Sequence, residues 1–436
     1  MTLVSSFREM VQQISYVMTV PTFNSFLILL TGWVFARRRT VTGMLLAAGA
    51  VGTKHHSAFH RVFATARWSL DEMGLALFRL LLPGIRQETI GLALDDTLAR
   101  KRGRKVFGVG MHHDPLLSTR KTALMSWGHN WVVLGVIVEL PFCPGRCFCL
   151  PILFRLYVSR QTAARQHLPY RTRPELAVEM LHRWCNRYPD RHFHVVADAA
   201  YGGQSVYRNL PVNGDLTSRL SLDARLYEAA PVRRPGTNGR PRRRGRRLPS
   251  PRQMLRKRGR RWAWHIYGRK DRCRVVERVA YLHALPERPV RVVAVEPLTG
   301  GRPRQAFYST CPQASAREIL TRYARRWSLE EAFQHSKTHL GFEQPPGWSR
   351  RAVERTAPTA MLLYSLIVLW FASVGHRAYH PPYRPWYRRK SRPSFADMLA
   401  TLRQESVREG VLSPPGTQQT CENLLQAFIR AVTQAA

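Results

Sequence analysis

Two apolar runs that each end in acid constrain this chain more than any other feature. Leu92-Ala93-Leu94 is followed by Asp95-Asp96, and Val195-Val196-Ala197 by Asp198. A short apolar run with no polar alternation reads as a strand buried on both faces, inside a sheet covered by helices. Carboxylates at the ends of neighbouring buried strands can converge on one point. Desolvating them together is costly unless a cation lies between them, so a divalent metal is their natural partner. Strand-end Asp also serves as a turn former or helix cap, and at this level both readings stand.

The chain has 436 residues, with 68 Lys and Arg against 28 Asp and Glu, and a formal net charge of +40. Hydrophobic residues make up 44%, which excludes disorder throughout. Such a basic excess makes a polyanion the expected partner, nucleic acid before an anionic membrane. The tract 233–261 holds 14 of the basic residues and no acid, with Pro and Gly scattered through it, and reads as a disordered Arg/Pro loop. The other 54 lie outside it, so basicity belongs to the whole molecule. No membrane span is expected. Residues 359–374 are uncharged but fall short of the roughly 18–20 residues a spanning helix needs, and they read as a core helix. The first 13 residues lack the marks of a signal peptide. Seven cysteines fit free thiols in a reducing compartment. Cys143, Cys147 and Cys149 lack a second pair at zinc-finger spacing and read as a turn between strands.

Periodicity predicts an α/β chain. Residues 1–85 read as a helical, DNA-binding region. Thr40 and Ser57 precede two short apolar-faced helices around Gly52, which suits a helix-turn-helix reader or an ordinary helical hairpin. Strands are expected at 90–96, 105–111, 131–140, 193–197 and 216–227. A helix opens at the capping box Thr172-x-x-Glu175. Residues 228–311 read as a β-rich insertion. A helix over 316–340 opens at Ser315-x-x-Glu318, and a second helix covers 351–374. The remainder, 377–436, reads as a basic linker with aromatic residues (Tyr379, Tyr383, Trp386, Tyr387) and C-terminal helices.

The 316–340 helix carries Tyr323, Arg326, Glu330 and Lys337. At 100° per residue these fall within an arc of about 60°. A carboxylate flanked by cations suits a place where metals and phosphates meet, since metals take the carboxylate and Arg and Lys take phosphate oxygens. The alternative is a solvated stripe of i,i+4 pairs.

Tyr323-x2-Arg326-x3-Glu330-x6-Lys337 resembles the Y-R-E-K signature of DDE-type cut-and-paste transposases of bacterial insertion sequences. Asp96-Thr97 is similar to that family's first catalytic Asp with its following Thr. Asp198, before Ala199-Ala200-Tyr201-Gly202, is similar to the second. The resemblance covers residues 86–376. It implies an RNase H-like mixed sheet, with first part 86–227 and second part 312–376, interrupted by the insertion. It implies two Mg²⁺ or Mn²⁺ ions held by Asp96, Asp198 and Glu330, with Asp96 bridging them. It further implies cleavage of the ends of an insertion sequence and their joining to target double-stranded DNA. Tyr323, Arg326 and Lys337 would position the backbone, and Trp327 would either stack on an unpaired base or pack in the core. A homodimer would pair two ends; no membrane and no nucleotide cofactor are implied, and the location is cytoplasmic and nucleoid-associated.

Asp95 and Asp96 point to opposite faces of their strand. Parity with Leu92 and Leu94, together with the resemblance, favours Asp96. The chain departs from the family in the 233–261 tract and in having only Trp262 and Trp264 as a second Trp in the insertion, which leaves a hairpin intermediate open. Two competing readings are a non-catalytic or domesticated DNA-binding protein with this fold and a metal-dependent nuclease that cuts without joining. No G-x4-G-K, G-x-S-x-G or H-E-x-x-H occurs, so nucleotide hydrolysis, serine hydrolysis and zinc proteolysis are not expected.

Overall fold

The computed structural model describes residues 1–412 except 86, 104, 120, 234–239, 267–268, 300 and 382–391; for 264–271 and 411–412 it describes the backbone alone. Tyr383, Trp386, Tyr387, the Trp264 side chain and the expected last helix at 421–434 lie outside the described residues.

Twelve strands among the described residues form one mixed sheet. In chain order they are β1 (Thr89–Arg100), β2 (Gly110–His113), β3 (Met125–Glu139), β4 (Cys147–Tyr157), β5 (His192–Ala197), β6 (Gly214–Leu220), β7 (Leu226–Tyr227), β8 (Arg247–Leu248), β9 (Arg260–Ile266), β10 (Arg269–Leu282), β11 (Leu285–Pro297) and β12 (Gln305–Ser309). β1, β3 and β4 are antiparallel neighbours, while β5 and β6 run parallel to β1 on its other side. This is the α/β mixed sheet expected of an RNase H-like fold. Beyond β6 it continues through β12, β11, β10, β7 and β8, with β9 paired to β10.

Both apolar runs are central strands, as their composition requires. β1 does not end at its acids but continues through them to Arg100. The strand expected over 105–111 is only the short edge β2. β4 was not foreseen: its apolar sequence carries Pro151, placed where the register with β3 shifts, at a bulge that tolerates a missing N–H. The cysteine cluster spans the β3–β4 turn and the start of β4.

Helices cover the two faces of β1 and β5 differently. The Arg173–Cys185 helix starts at the full capping box of Thr172 and Glu175 and buries Leu176, Met180, Leu181 and Trp184. It joins the large core that includes Leu92, Leu94, Val195 and Ala197. On the opposite face Val196 belongs to a smaller core with Phe307, Ile319, Leu320 and Tyr323. There the expected single helix over 316–340 is two, Ala316–Arg325 and Trp327–Leu340. Arg326 at the junction keeps helical dihedrals (φ −54°, ψ −33°), so the two halves run on with little change of direction.

The Arg350–Ser373 helix is long and apolar enough to cross a membrane, yet it is buried along most of its length. Ser365 Oγ donates to the carbonyl of Pro151 in β4 (3.1 Å). It is a core helix, as expected. The helical region 1–85 shares this core rather than standing apart. Trp33 Nε1 donates to the Leu340 carbonyl (2.8 Å), and the Arg355 guanidinium reaches the carbonyls of Ala66 and Trp68 (2.7 and 2.6 Å). The expected helix pair is Val41–Ala48 and His56–Ala64; the latter buries Phe59, Val62 and Phe63 and exposes His60 and Arg61.

The tract 233–261 departs from a featureless loop. Its described part forms β8, a capped turn of helix at Pro251–Met254 and the start of β9. Met254 and Leu255 are buried in the main core and anchor it. Two apolar side chains suffice to pin a segment whose average composition reads as unfolded.

Candidate active site

The parallel register of β1 with β5 ends with Leu94 opposite Ala197. The next residue along each chain is an acid, Asp95 and Asp198. Neighbouring strands lie about 4.8 Å apart, and residues level across a parallel pair share a face. Ala93 is level with Val196, so Asp95 and Asp198 fall on the face covered by the Ala316–Arg325 and Trp327–Leu340 helices.

Glu330 lies in the first turn of the Trp327–Leu340 helix and meets that face through Arg326. One guanidinium nitrogen of Arg326 is ion-paired with Asp95 Oδ2, and the other donates to Glu330 Oε1 at 2.7 Å. The same guanidinium lies 5.6 Å from the centre of the Tyr323 ring. Burial opposes its charge, but Asp95 and Glu330 more than offset this and hold Arg326 protonated. Burial pushes the Asp95 carboxyl up to about 7; Arg326 works against this, and the like charges of Asp198 and Asp96 add to it. Glu330 is raised in the same way, by burial first, against Arg326, with Asp198 adding. Asp198 thus lies close enough to act on both Asp95 and Glu330.

These four groups carry three negative charges and one positive. The balance of two suits a divalent cation, and carboxylates are the oxygen donors that such ions take. Arg326, however, bridges Asp95 and Glu330 directly here. Among the described residues no three His, Cys, Asp or Glu side chains form a group that could hold an ion in this arrangement. In place of the expected three acids around shared ions, two of them, Asp95 and Glu330, meet on one guanidinium, with Asp198 nearby.

Asp96 faces the other way, contrary to the expectation that it joins Asp198 and Glu330. Its Oδ1 accepts from the Tyr201 hydroxyl (2.8 Å), and its Oδ2 accepts from Asn130 Nδ2 (2.7 Å) and Arg173 (2.9 Å). Its backbone N–H donates to Asp95 Oδ1 (2.8 Å). The parity argument fails because β1 is apolar on both faces. Sharing a face with Leu92 and Leu94 places Asp96 toward the Arg173–Cys185 helix, not toward Glu330.

The remaining signature residues separate. Tyr323 is buried against Phe307, with ring centres 4.6 Å apart, and supports Arg326 from below. Lys337 stands two turns beyond Glu330, about 10 Å along the helix. Burial lowers its pKa, and its charged neighbours are Glu343, Arg100 and Asp114 rather than the three acids. Trp327 is 44% exposed at the helix start, so it is not a core tryptophan. Sequence reasoning passed over Asn130, Arg173 and Tyr201. Tyr201, three residues after Asp198, offered a signal; Asn130 and Arg173 offered none.

A cavity of about 500 Å³ lies elsewhere, lined by Ser69, Asp71, Phe107, Trp131 and Arg155 among others, and contains none of these acids.

A family model described as DDE superfamily endonuclease matches residues 19–274, more than half of the chain. The match takes in Asp95, Asp96 and Asp198 and stops short of Glu330. No curated protein matches the chain.

Proposed function

The chain belongs to the DDE superfamily of endonucleases, and from that membership we propose that it is a DNA transposase. It would cut the ends of an insertion sequence and join them to target DNA. The family implies an enzyme of the nuclease or transposase type acting on DNA, and its members generally use divalent metal ions. The observation that supports the reading most is the meeting of Asp95, beside Asp198, with Glu330 through the single guanidinium of Arg326, itself 231 residues from Asp95 in sequence.

Asp95, Asp198 and Glu330 would hold Mg²⁺ or Mn²⁺, two ions by the resemblance, with Asp95 taking the role first given to Asp96. When bound, the metal supplies Lewis-acid stabilisation of a phosphodiester displacement and a more acidic bound water or 3′-hydroxyl. Arg326 presents a planar fork of donors that matches phosphate as well as carboxylate, so it binds and orients the scissile group. Tyr323 fixes Arg326 through its ring. Trp327, exposed beside the acids, offers a stacking face to an unpaired base. Lys337 sits too far along the helix for the same phosphate and suits a neighbouring one. A dimer would serve to pair two ends.

One observation favours a second reading. Arg326 already pairs with two of the acids, as it would in a DNA-binding protein that no longer cuts.

Nicking of supercoiled plasmid in Mg²⁺ or Mn²⁺ separates the two. We expect wild-type protein to nick and Asp95→Asn, Asp198→Asn and Glu330→Gln to lose roughly 10³-fold or more. Strand joining is then read with DNA taken from either side of the gene. Wild-type protein that binds DNA without cutting it overturns the transposase reading. Nicking that survives in Asp95→Asn but not in Asp96→Asn overturns the choice of Asp95.

A further inference from the structure

We infer that Asp96 is a positioning residue: with Tyr201, its carboxylate clamps the loop that carries Asp198. The inference rests on the reading of Asp95, Asp198 and Glu330 given above.

Three side chains from three separate elements donate to the Asp96 carboxylate. Asn130 comes from β3, Arg173 from the first residue of the Arg173–Cys185 helix, and Tyr201 from the loop after β5. A carboxylate offers about four lone-pair sites. Three are used, one of them by a cation that competes with any metal. Asp96 is thus equipped to hold protein together, not to ligate an ion. Asp95, by contrast, shares its one guanidinium partner with Glu330.

Tyr201 makes the clamp specific to Asp198. It is fully buried and three residues after that acid. Its N–H donates to the Asp198 carbonyl (3.2 Å), while its hydroxyl spans to Asp96. The Asp198 carbonyl also accepts from Ser218 Oγ (2.7 Å), and Asp198 Oδ1 accepts from the Ala200 N–H (2.9 Å). The Tyr201 hydroxyl is the side-chain link from this turn to β1. On the other side, the Asp96 N–H donates to Asp95 Oδ1 and limits its rotation. The Asp96 side chain therefore acts on the Asp198 turn from the opposite face of the sheet, while the contact to Asp95 is made by the backbone N–H of residue 96. Partners of this kind, which orient ligands without being ligands, typically matter 10–100-fold in metal affinity or activity.

The test uses the full chain, plasmid nicking across a Mn²⁺ titration, Mn²⁺ binding read by electron paramagnetic resonance, and DNA affinity in Ca²⁺. Tyr201→Phe removes one oxygen and no volume. It should raise the Mn²⁺ concentration for half-maximal nicking and the Mn²⁺ dissociation constant about tenfold or more, and leave DNA affinity unchanged. Asp96→Asn keeps an acceptor for the Tyr201 hydroxyl, so it should retain more activity than Asp96→Ala. The double variant Tyr201→Phe/Asp96→Ala should be no worse than Asp96→Ala alone. Should Asp96→Ala fail to fold, Tyr201→Phe and Asp96→Asn decide the matter. The inference is overturned if Tyr201→Phe binds Mn²⁺ as wild type does, or if Asp96→Asn is as inactive as Asp95→Asn while Tyr201→Phe is normal. Wild-type protein that neither binds Mn²⁺ nor nicks overturns the underlying reading instead, and this inference with it.

Discussion

The two faces of β1 carry adjacent acids under opposite conditions. On one face Asp95 has like-charged neighbours and half of one guanidinium, and its carboxyl is raised to about 7. On the other face Asp96 has three donors to itself. Alternation along a strand turns two residues of one type into a site under electrostatic tension and a fixed anchor behind it. A reactive carboxylate needs unmet charge demand; its support needs that demand satisfied. Placing both on one strand couples them through a single peptide.

The largest expected effect breaks the comparison directly. Asp95→Asn should abolish metal-dependent nicking, by roughly 10³-fold, whereas Asp96→Asn should cost about 10–100-fold. Equal losses would mean that the faces are not functionally distinct. Next in size is Arg326→Ala. It leaves two half-buried carboxylates without their partner, which should lower stability by about 2 kcal/mol in urea unfolding near pH 8. A change below about 1 kcal/mol would show that solvent already screens the Asp95 face.

A third measurement compares the faces through their buried histidines. His194, on the Asp95 face, is pushed down to about 3 by burial and then by Arg322. His112, near Asp96, is pushed down to about 4 by burial and then by Arg173. Both have folded pKa values below the unfolded value of about 6.5. As pH falls below 6.5 the unfolded chain takes up protons that the folded chain refuses. The two histidines should therefore contribute no slope above pH 7 and lower stability from pH 6.5 toward 4, by roughly 1–3 kcal/mol each, against an opposite contribution from the raised Asp95 carboxyl, which the folded chain protonates first. His112→Asn should flatten part of that slope in urea titrations; an unchanged slope would show that His112 takes up its proton within the fold. The smallest effect is expected from Trp327→Ala. Its side chain is substantially exposed, so melting should shift little, while binding of a DNA end with unpaired bases weakens several-fold and binding of blunt duplex does not. Equal weakening on both DNAs would remove the stacking role.

Much of the frame was legible because it is written locally. Apolar runs ending in acid, and capping boxes at Thr172/Glu175 and Ser315/Glu318, fix elements from within a few residues. The Arg350–Ser373 helix and the strand-rich character of 228–311 were equally plain. β4 was not, because Pro151 argues against a strand unless the bulge that excuses it is known. The tract 233–261 misled because average charge outweighed the two residues that pin it, Met254 and Leu255.

By itself the sequence determined that Asp95 and Asp96 end one buried apolar run, that Asp198 follows another, and that Glu330 lies on a helix. Strand and helix follow from patterns a few residues long, which gave the type of each of these elements though not its ends. Which acid faces the helix was decided only by the tertiary structure. β1 is apolar on both sides, so nothing in its own residues distinguishes the face toward Arg326 from the face toward Tyr201. That choice comes from how a helix 231 residues away packs on the sheet. The electrostatic character of the two carboxylates comes with the packing, because burial and neighbouring charge exist only once the chain has closed around them.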